Sequence, residues 1–306
     1  MTQLLHTTVA ATASSEPPLD VPGTLWQRWT RGIRIFHASA EWLDLVASDW
    51  REQILNIEVT DHFHAKQGRS TGRWILERDG RRLSVYLKRH YRLPWWQGWL
   101  ATLWPGGAFS PGMRERRNLH KAAARGLLVP KVVAAGEWIG PRGKLQSFLA
   151  VEELHGMLPL HEAIPLAKAR LAAVEFDRWK ASLIAEMARL TRLLHDRRSF
   201  HKDLYLCHFY IPRTDTARLP EWRGTVHLID LHRLSRHRWT RPLWQVKDLA
   251  QLLYSSEIVG VTGRDRLRFW RTYLSGGRSG WAVHWLRRLV VFKWQRYRRH
   301  NAKKSA

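Results

Sequence analysis

Apolar residues alternate with polar ones through Leu83-Ser84-Val85-Tyr86-Leu87-Lys88. Leu83, Val85 and Leu87 therefore share one face of a strand, while Ser84, Tyr86 and Lys88 share the other. Trp74-Ile75-Leu76 precedes this run, and the Asp79-Gly80 pair between the two is a strong hairpin signal. Ser147-Phe148-Leu149-Ala150-Val151-Glu152-Glu153-Leu154 reads as a buried strand ending in acids. Elsewhere the period is helical. Trp42, Leu43, Leu45, Val46 and Trp50 predict one short amphipathic helix, and Glu115, Leu119 and Ala122 predict another over 112–125. Phe176, Trp179, Leu183, Met187, Leu190 and Leu194 predict a long helix that feeds His195. Val246–Tyr254 reads as a helix with Asp248 near its start, and 264–300 as helical, basic and aromatic. Residues 1–23, rich in Thr, Ala, Ser and Pro, read as a poorly ordered leader.

Two charged side chains fall on faces that matter. Lys88 projects away from the packed side of its strand, either as a solvated lysine or as a phosphate ligand. Glu115 lies on the apolar stripe of its helix, where burial of a lone carboxylate is costly. It is either the partner of a cation, for which Lys88 is the natural candidate, or a surface acid among Arg114, Arg116 and Arg117.

Composition narrows the partners. The chain has 306 residues, 44% of them hydrophobic, enough for one large domain or two lobes with a buried core. Its 51 Lys and Arg against 26 Asp and Glu leave a net charge of +25, a field that draws nucleic acid, an anionic membrane or an anionic substrate. Eighteen tryptophans beside those cations favour the headgroup layer of a bilayer over unpaired bases. Cys207 is the one cysteine, so an intrachain disulfide and a cysteine-rich zinc site are excluded. The first 23 residues lack the basic start and apolar core of a secretory signal, and no run reaches the roughly 20 apolar residues of a membrane span. A soluble cytoplasmic protein resting on a membrane surface fits these traits.

The chemistry-bearing string is Ser199-Phe200-His201-Lys202-Asp203-Leu204-Tyr205-Leu206-Cys207-His208-Phe209, followed by Leu228-Ile229-Asp230-Leu231-His232. Two aspartates 27 positions apart, each on a short loop between apolar residues, suit phosphoryl transfer. One carboxylate accepts the proton of an attacking hydroxyl; the other holds a metal that neutralises phosphate charge. As ordinary loop or capping acids, two in matching contexts would be improbable. His201 reads as structural, bonding backbone near the second aspartate, His195 and Cys207 as packing residues, and Asp248 as a helix cap or a support for the first loop.

Together, Lys66-Gln67-Gly68-Arg69-Ser70-Thr71-Gly72-Arg73, Val85-Tyr86-Leu87-Lys88-Arg89-His90, Asp203 to Phe209, Leu228 to Arg233 and Lys247-Asp248-Leu249-Ala250 resemble the Kdo/WaaP lipopolysaccharide kinase family, over residues 55–256. The resemblance implies an α+β, bilobal protein-kinase-like fold. A β-rich N-lobe with one main helix would occupy 26–150, including a Trp-rich insert at 89–112, and a helical C-lobe with a basic terminal helix 151–306. It implies ATP and Mg2+ as cofactors. Gly68 to Gly72 would be the loop over the phosphates, Lys88 a phosphate contact held by Glu115, and Glu152 part of a hinge whose backbone meets adenine. Asp203 would be the catalytic base and Asp230 a magnesium ligand, with His208 standing where most kinases carry an asparagine. The implied substrate is a heptose or Kdo hydroxyl of the lipopolysaccharide inner core, met at the cytoplasmic face of the inner membrane among anionic inner-leaflet lipids. The same fold could instead phosphorylate a protein tyrosine or another small hydroxylated acceptor. A non-catalytic membrane- or nucleic-acid-binding protein on a kinase scaffold is the third reading, although no nucleic-acid-binding motif is evident and no specific nucleic acid is expected.

Arg89 to Leu100, with Trp95, Trp96 and Trp99, and then Trp104, reads either as an amphipathic interfacial segment or as a loop packed over the N-lobe. Leu286 to Arg299 reads as a second anchor or a solvated basic tail.

Overall fold

A computed structural model describes residues 24–56, 61–62, 68–275 and 280–305. The chain divides into two units, Met1–Ser110 with Val133–Ala150, and Pro111–Val132 with Val151–Ala306.

The first unit is built on a six-stranded sheet in the order β1-β5-β6-β4-β3-β2. Its strands are β1 (Ile33–Ala38), β2 (Asp61–His62), β3 (Arg69–Arg78), β4 (Arg81–His90), β5 (Val132–Ile139) and β6 (Leu145–Glu152). The predicted hairpin is present: Arg69 to Arg78 pair antiparallel with His90 to Arg81. Asp79 and Gly80 turn it with φ of 50° and 72°, as a tight hairpin turn requires. Leu83, Val85 and Leu87 are buried as the alternation predicts, and Ser84 on the opposite face is buried too. Arg89 follows them into the interior, where Nε donates to Ser70 Oγ (3.0 Å) and Nη1 to the carbonyl of Leu55 (3.2 Å). Burial holds its guanidinium below the ordinary arginine range.

The predicted helix over 42–50 is two pieces, α2 (Ala40–Leu45) and α3 (Trp50–Gln53). The break at Val46, an extended residue, lets Trp42 and Trp50 meet edge to face at 5.7 Å within the core they form with Ile54, Val133 and Phe148. Two further helices pack together outside that core. In α1 (Leu25–Arg31) Thr24 and Gln27 close a capping box. The Trp-rich insert forms α4 (Trp95–Leu103), which turns Gly98, Ala101 and Thr102 inward and most of its tryptophans outward.

The second unit begins with α5 (Pro111–Ala123), the helix that the sequence placed in the first lobe. Long-range bonds account for its grouping: the Asn118 amide donates to the carbonyls of Leu231 (2.8 Å) and Leu234 (2.9 Å). Two small sheets follow. One has the order β10-β9-β7, from β7 (Met157–Pro159), β9 (Phe209–Pro212) and β10 (His227–Leu228); the other pairs β8 (Ser199–Phe200) with β11 (Ser235–Arg236). The helices are α6 (Leu160–Arg170), α7 (Ala173–Asp196), α8 (Arg241–Ser255), α9 (Gly263–Leu274) and α10 (Trp281–Ser305). α7 buries Phe176, Trp179, Leu183, Met187, Leu190 and Leu194, the periodic set read from sequence. Ala188, Leu249, Ala250, Tyr273 and Val290 join α7, α8, α9 and α10 in one core. Leu286 and Trp294 of α10 lean on that core, whereas Trp281, Trp285 and Phe292 stay exposed.

Candidate active site

Asp203 sits on the loop between β8 and β9, and the loop is held from beneath. The Asp248 carboxylate accepts from the backbone N–H of His201 (2.8 Å) and of Lys202 (2.7 Å). Asp248 lies in the middle of α8, not near its start, so it is no helix cap; it is a fully buried loop anchor. His195, expected only to pack, presents Nε2 to the same carboxylate at 3.3 Å. Its Nδ1 lies 2.8 Å from the Tyr273 hydroxyl, which accepts from Gln245 (2.7 Å). This chain of buried bonds satisfies the acid that fixes the loop. Lys202 adopts φ +68°, a left-handed backbone that a non-glycine residue holds only under such constraint.

Around Asp203 the charge is mostly positive. Arg233 Nη1 donates to Oδ2 at 3.0 Å and Lys247 Nζ stands 3.7 Å from Oδ1. Gln251 reaches Oδ1 at 3.4 Å and also donates to the Tyr205 hydroxyl (2.9 Å). The Nζ atoms of Lys202 and Lys247 lie 4.2 and 5.7 Å from the Trp244 ring centroid. Desolvation, with Arg233 among their neighbours, makes both lysines less basic than usual.

Asp230 meets this loop through His208. The His208 Nδ1 contacts the carbonyl of Asp203 at 2.6 Å; a carbonyl only accepts, so Nδ1 carries a proton. The His208 Nε2 is 3.8 Å from Asp230 Oδ2, while His232 Nδ1 donates to Oδ1 (2.8 Å). The backbone N–H of Ile229 donates to the carbonyl of His208 (3.0 Å), which ties the two loops together. Asp230 itself has φ +59°. His201, fully buried, donates Nε2–H to the carbonyl of Ile229 (3.0 Å) and stacks on His208 at 5.4 Å. Burial, first, and the neighbouring His208 keep it less basic than a free histidine. It is the backbone brace beside Asp230 that the sequence suggested.

No group of three His, Cys, Asp or Glu able to hold a metal occurs among the described residues. Asp230 offers a carboxylate oxygen, which suits an ion such as magnesium that takes its other ligands from water and phosphate oxygens, whereas the His208 imidazole is a poorer ligand for so hard an ion. The other predicted residues lie as follows. Lys88 stands in β4 opposite Thr71, and Glu152 is the last residue of β6. Glu115 is buried in α5 with Leu119 and Ala122, as its position on the apolar stripe predicts. Gly68 is a turn residue with φ +77°, but Arg69 to Gly72 are not a loop: Gly72 pairs with Leu87 inside the sheet. The ladder of β3 and β4 runs two turns of pleat further than the glycines suggested. Lys66 and Gln67 lie outside the described residues.

The sequence did not reveal Arg233, Lys247 and Gln251 as partners of Asp203, although Arg233 and Lys247 stand in segments that carry the family resemblance. The local signal was their nearness to the two aspartates: Lys247 adjoins Asp248, Gln251 follows it by three positions, and Arg233 follows Asp230 by three.

The profile of the Lipopolysaccharide kinase (Kdo/WaaP) family matches residues 61–273, which contain both aspartates and the anchor Asp248. The chain belongs to that family. Among its relatives, the lipopolysaccharide core heptose(I) kinase WaaP of Pseudomonas aeruginosa is 34% identical over 157 residues, 51% of this chain and 56% of that one. The protein of the same name from Escherichia coli K12 is 32% identical over 162 residues, 52% of this chain and 58% of that one. The match thus spans less than two thirds of these relatives. A solved structure, WaaP in complex with acyl carrier protein, is similar with a TM-score of 0.59 and 26% identity, covering 85% of this chain and 99% of that one. The protein-kinase-like reading of this Kdo/WaaP member is in keeping with that likeness.

Proposed function

We propose that the protein is an ATP-dependent kinase that phosphorylates a sugar hydroxyl, of heptose or Kdo, in the lipopolysaccharide inner core. The observation that carries this reading is the joining of the Asp203 and Asp230 loops through His208, in a chain whose relatives are named heptose(I) kinases.

Asp203 accepts the proton of the acceptor hydroxyl as its oxygen bonds to the γ-phosphorus of ATP and the bond to the β-phosphate oxygen breaks, leaving ADP. Arg233, bonded to Asp203, holds the carboxylate in place, and Lys247 adds positive field where phosphate charge develops. Asp230, with His208, would hold Mg2+, which supplies charge neutralisation on the phosphates. Gly68, Gly72, Lys88, Glu115 and Glu152 are the residues proposed to serve the nucleotide, Lys88 on its phosphates. We assign the work to the cytoplasmic face of the inner membrane, where such an acceptor would be met; no helix among the described residues is long and apolar enough to cross a membrane.

The test is phosphate transfer to purified core oligosaccharide, followed by mass spectrometry. Wild type adds one phosphate mass, and Asp203→Ala adds none while keeping its circular dichroism. Turnover by the variant would reject the assignment. A second reading concerns a partner: a solved relative is assembled with acyl carrier protein, and we propose that this chain binds one too. Affinity capture of purified acyl carrier protein by the tagged chain tests it; failure to retain the carrier rejects it.

A further inference from the structure

One face of the first unit serves no part of the proposed reaction. Three segments build it: α1, α4 and the Pro141–Gly143 turn, which pack on one another. Trp29 and Trp99 meet at 4.3 Å, and Arg28 of α1 donates to the carbonyl of Thr102 (3.1 Å) at the end of α4. A methyl group at Gly98 would lie 1.7 Å from the carbonyl oxygen of Gly143, so α4 sits at backbone contact distance on the turn. This fit fixes which way the helix faces. Outward stand Trp26, Trp95, Trp96 and Trp104, with 73%, 74%, 49% and 61% of their surfaces in solvent, joined by Leu25 and Leu103. Proteins rarely leave so many large aromatic side chains bare on segments packed together without a use for them.

The charges around the patch decide its occupant. Arg31, Arg92, Arg142 and Lys144 are exposed in the same three segments or directly beside them. Residues 24–32, 91–110 and 140–144 contain no Asp or Glu. Indole flanked by uncompensated cations matches the headgroup layer of an anionic bilayer: the rings sit at the interface and the cations meet lipid phosphates. A second copy of the chain would bring arginine against arginine. No helix among the described residues is long and apolar enough to cross a membrane, so the contact is interfacial.

We infer that α1, α4 and the Pro141–Gly143 turn form a docking face for an anionic lipid bilayer, which takes Trp26, Trp95, Trp96 and Trp104 into its headgroup layer. The test is sedimentation of the full chain with vesicles of phosphatidylethanolamine and phosphatidylglycerol, or of phosphatidylcholine alone, without nucleotide or acceptor. Its failure therefore leaves the proposed reaction untouched. Wild type should bind the anionic vesicles at least tenfold more tightly than the neutral ones. Trp95→Ser with Trp96→Ser and Trp104→Ser should lose at least tenfold in affinity with an unchanged melting curve, and Arg31→Glu with Arg142→Glu should lose the preference for anionic lipid. Unaltered binding by both variants overturns the proposal. So does loss of binding in Trp281→Ser with Trp285→Ser on α10 but not in the α4 variant. Absence of vesicle binding, with wild type eluting as a dimer or retaining a single-stranded oligonucleotide instead, gives the face to a different partner and also overturns it.

Discussion

Tryptophan beside cations occurs twice in this molecule, with opposite surroundings. On α4, Trp95, Trp96 and Trp104 stand among exposed Arg and Lys in segments that contain no carboxylate. In the second unit Trp244 lies under Lys202 and Lys247, and there Asp203 and Asp248 are woven between the cations. Without acids, the field points outward and no side chain is fixed by another's charge. With acids, each cation has an assigned direction and the loop is held within hydrogen-bond distances. A surface for many lipid headgroups tolerates the first arrangement; a site for one hydroxyl needs the second.

The comparison can be broken at four points, in falling order of effect. Asp203→Asn should lower turnover by about 10²–10⁴-fold, the usual range for a lost general base, with vesicle sedimentation unchanged. If vesicle binding falls too, the two regions are not separate in function. Asp248→Ala strands the buried N–H groups of His201 and Lys202. Each unsatisfied donor costs about 1–3 kcal/mol, so urea unfolding should show a loss of about 2–5 kcal/mol together with poorer turnover. Gly98→Ala must push α4 off the Gly143 carbonyl. We expect about 1–3 kcal/mol of destabilisation, the range for overpacking, and weaker vesicle binding at constant kcat.

The smallest effect is on pH. Burial leaves His227 less basic than the ordinary 6.5, the backbone of Thr225 offsetting this in part. The unfolded chain therefore takes up its proton first, and stability falls as pH drops below about 6.5 while staying level above it. His227→Gln should flatten part of that slope in urea midpoints measured from pH 7.5 to 5.5. Vesicle docking should not change over the same range, because residues 24–32, 91–110 and 140–144 contain no His, Asp or Glu.

What could be read from the sequence was local. The β3–β4 hairpin follows from alternation plus Asp79-Gly80, and α7 from its apolar stripe, because each depends on residues within a few positions of one another. Asp203 and Asp230 were legible because the residues flanking each are themselves the signal. Arg233 on Asp203 spans 30 positions and His201 on Asp248 spans 47; a support role for Asp248 could be suggested from the sequence, but which atoms meet across such spans could not. The break between α2 and α3 was hidden for a related reason: four of the five apolar residues read as one stripe are buried, Leu43 being exposed, but Trp42 and Trp50 meet only when the helix is interrupted. Helix α1 has an N-terminal capping box in Thr24 and Gln27, but it is short and buries no residue, so it left no apolar stripe to read.

α8 anchors the Asp203 loop at several points. Lys247, Asp248 and Gln251 lie within little more than one turn of it, and between them they touch Asp203, Tyr205 and the backbone of residues 201, 202 and 204. The loop is bolted to this helix at several points, so a shift of α8 along its axis re-aims every bolt at once. α10 shares a core with α8, joining it through Val290, Leu286 and Trp294. Residues 281–305 fall outside the stretch that matches the family. They nonetheless pack on the core that holds α8, so shortening α10 is expected to show at Asp203 as lost alignment.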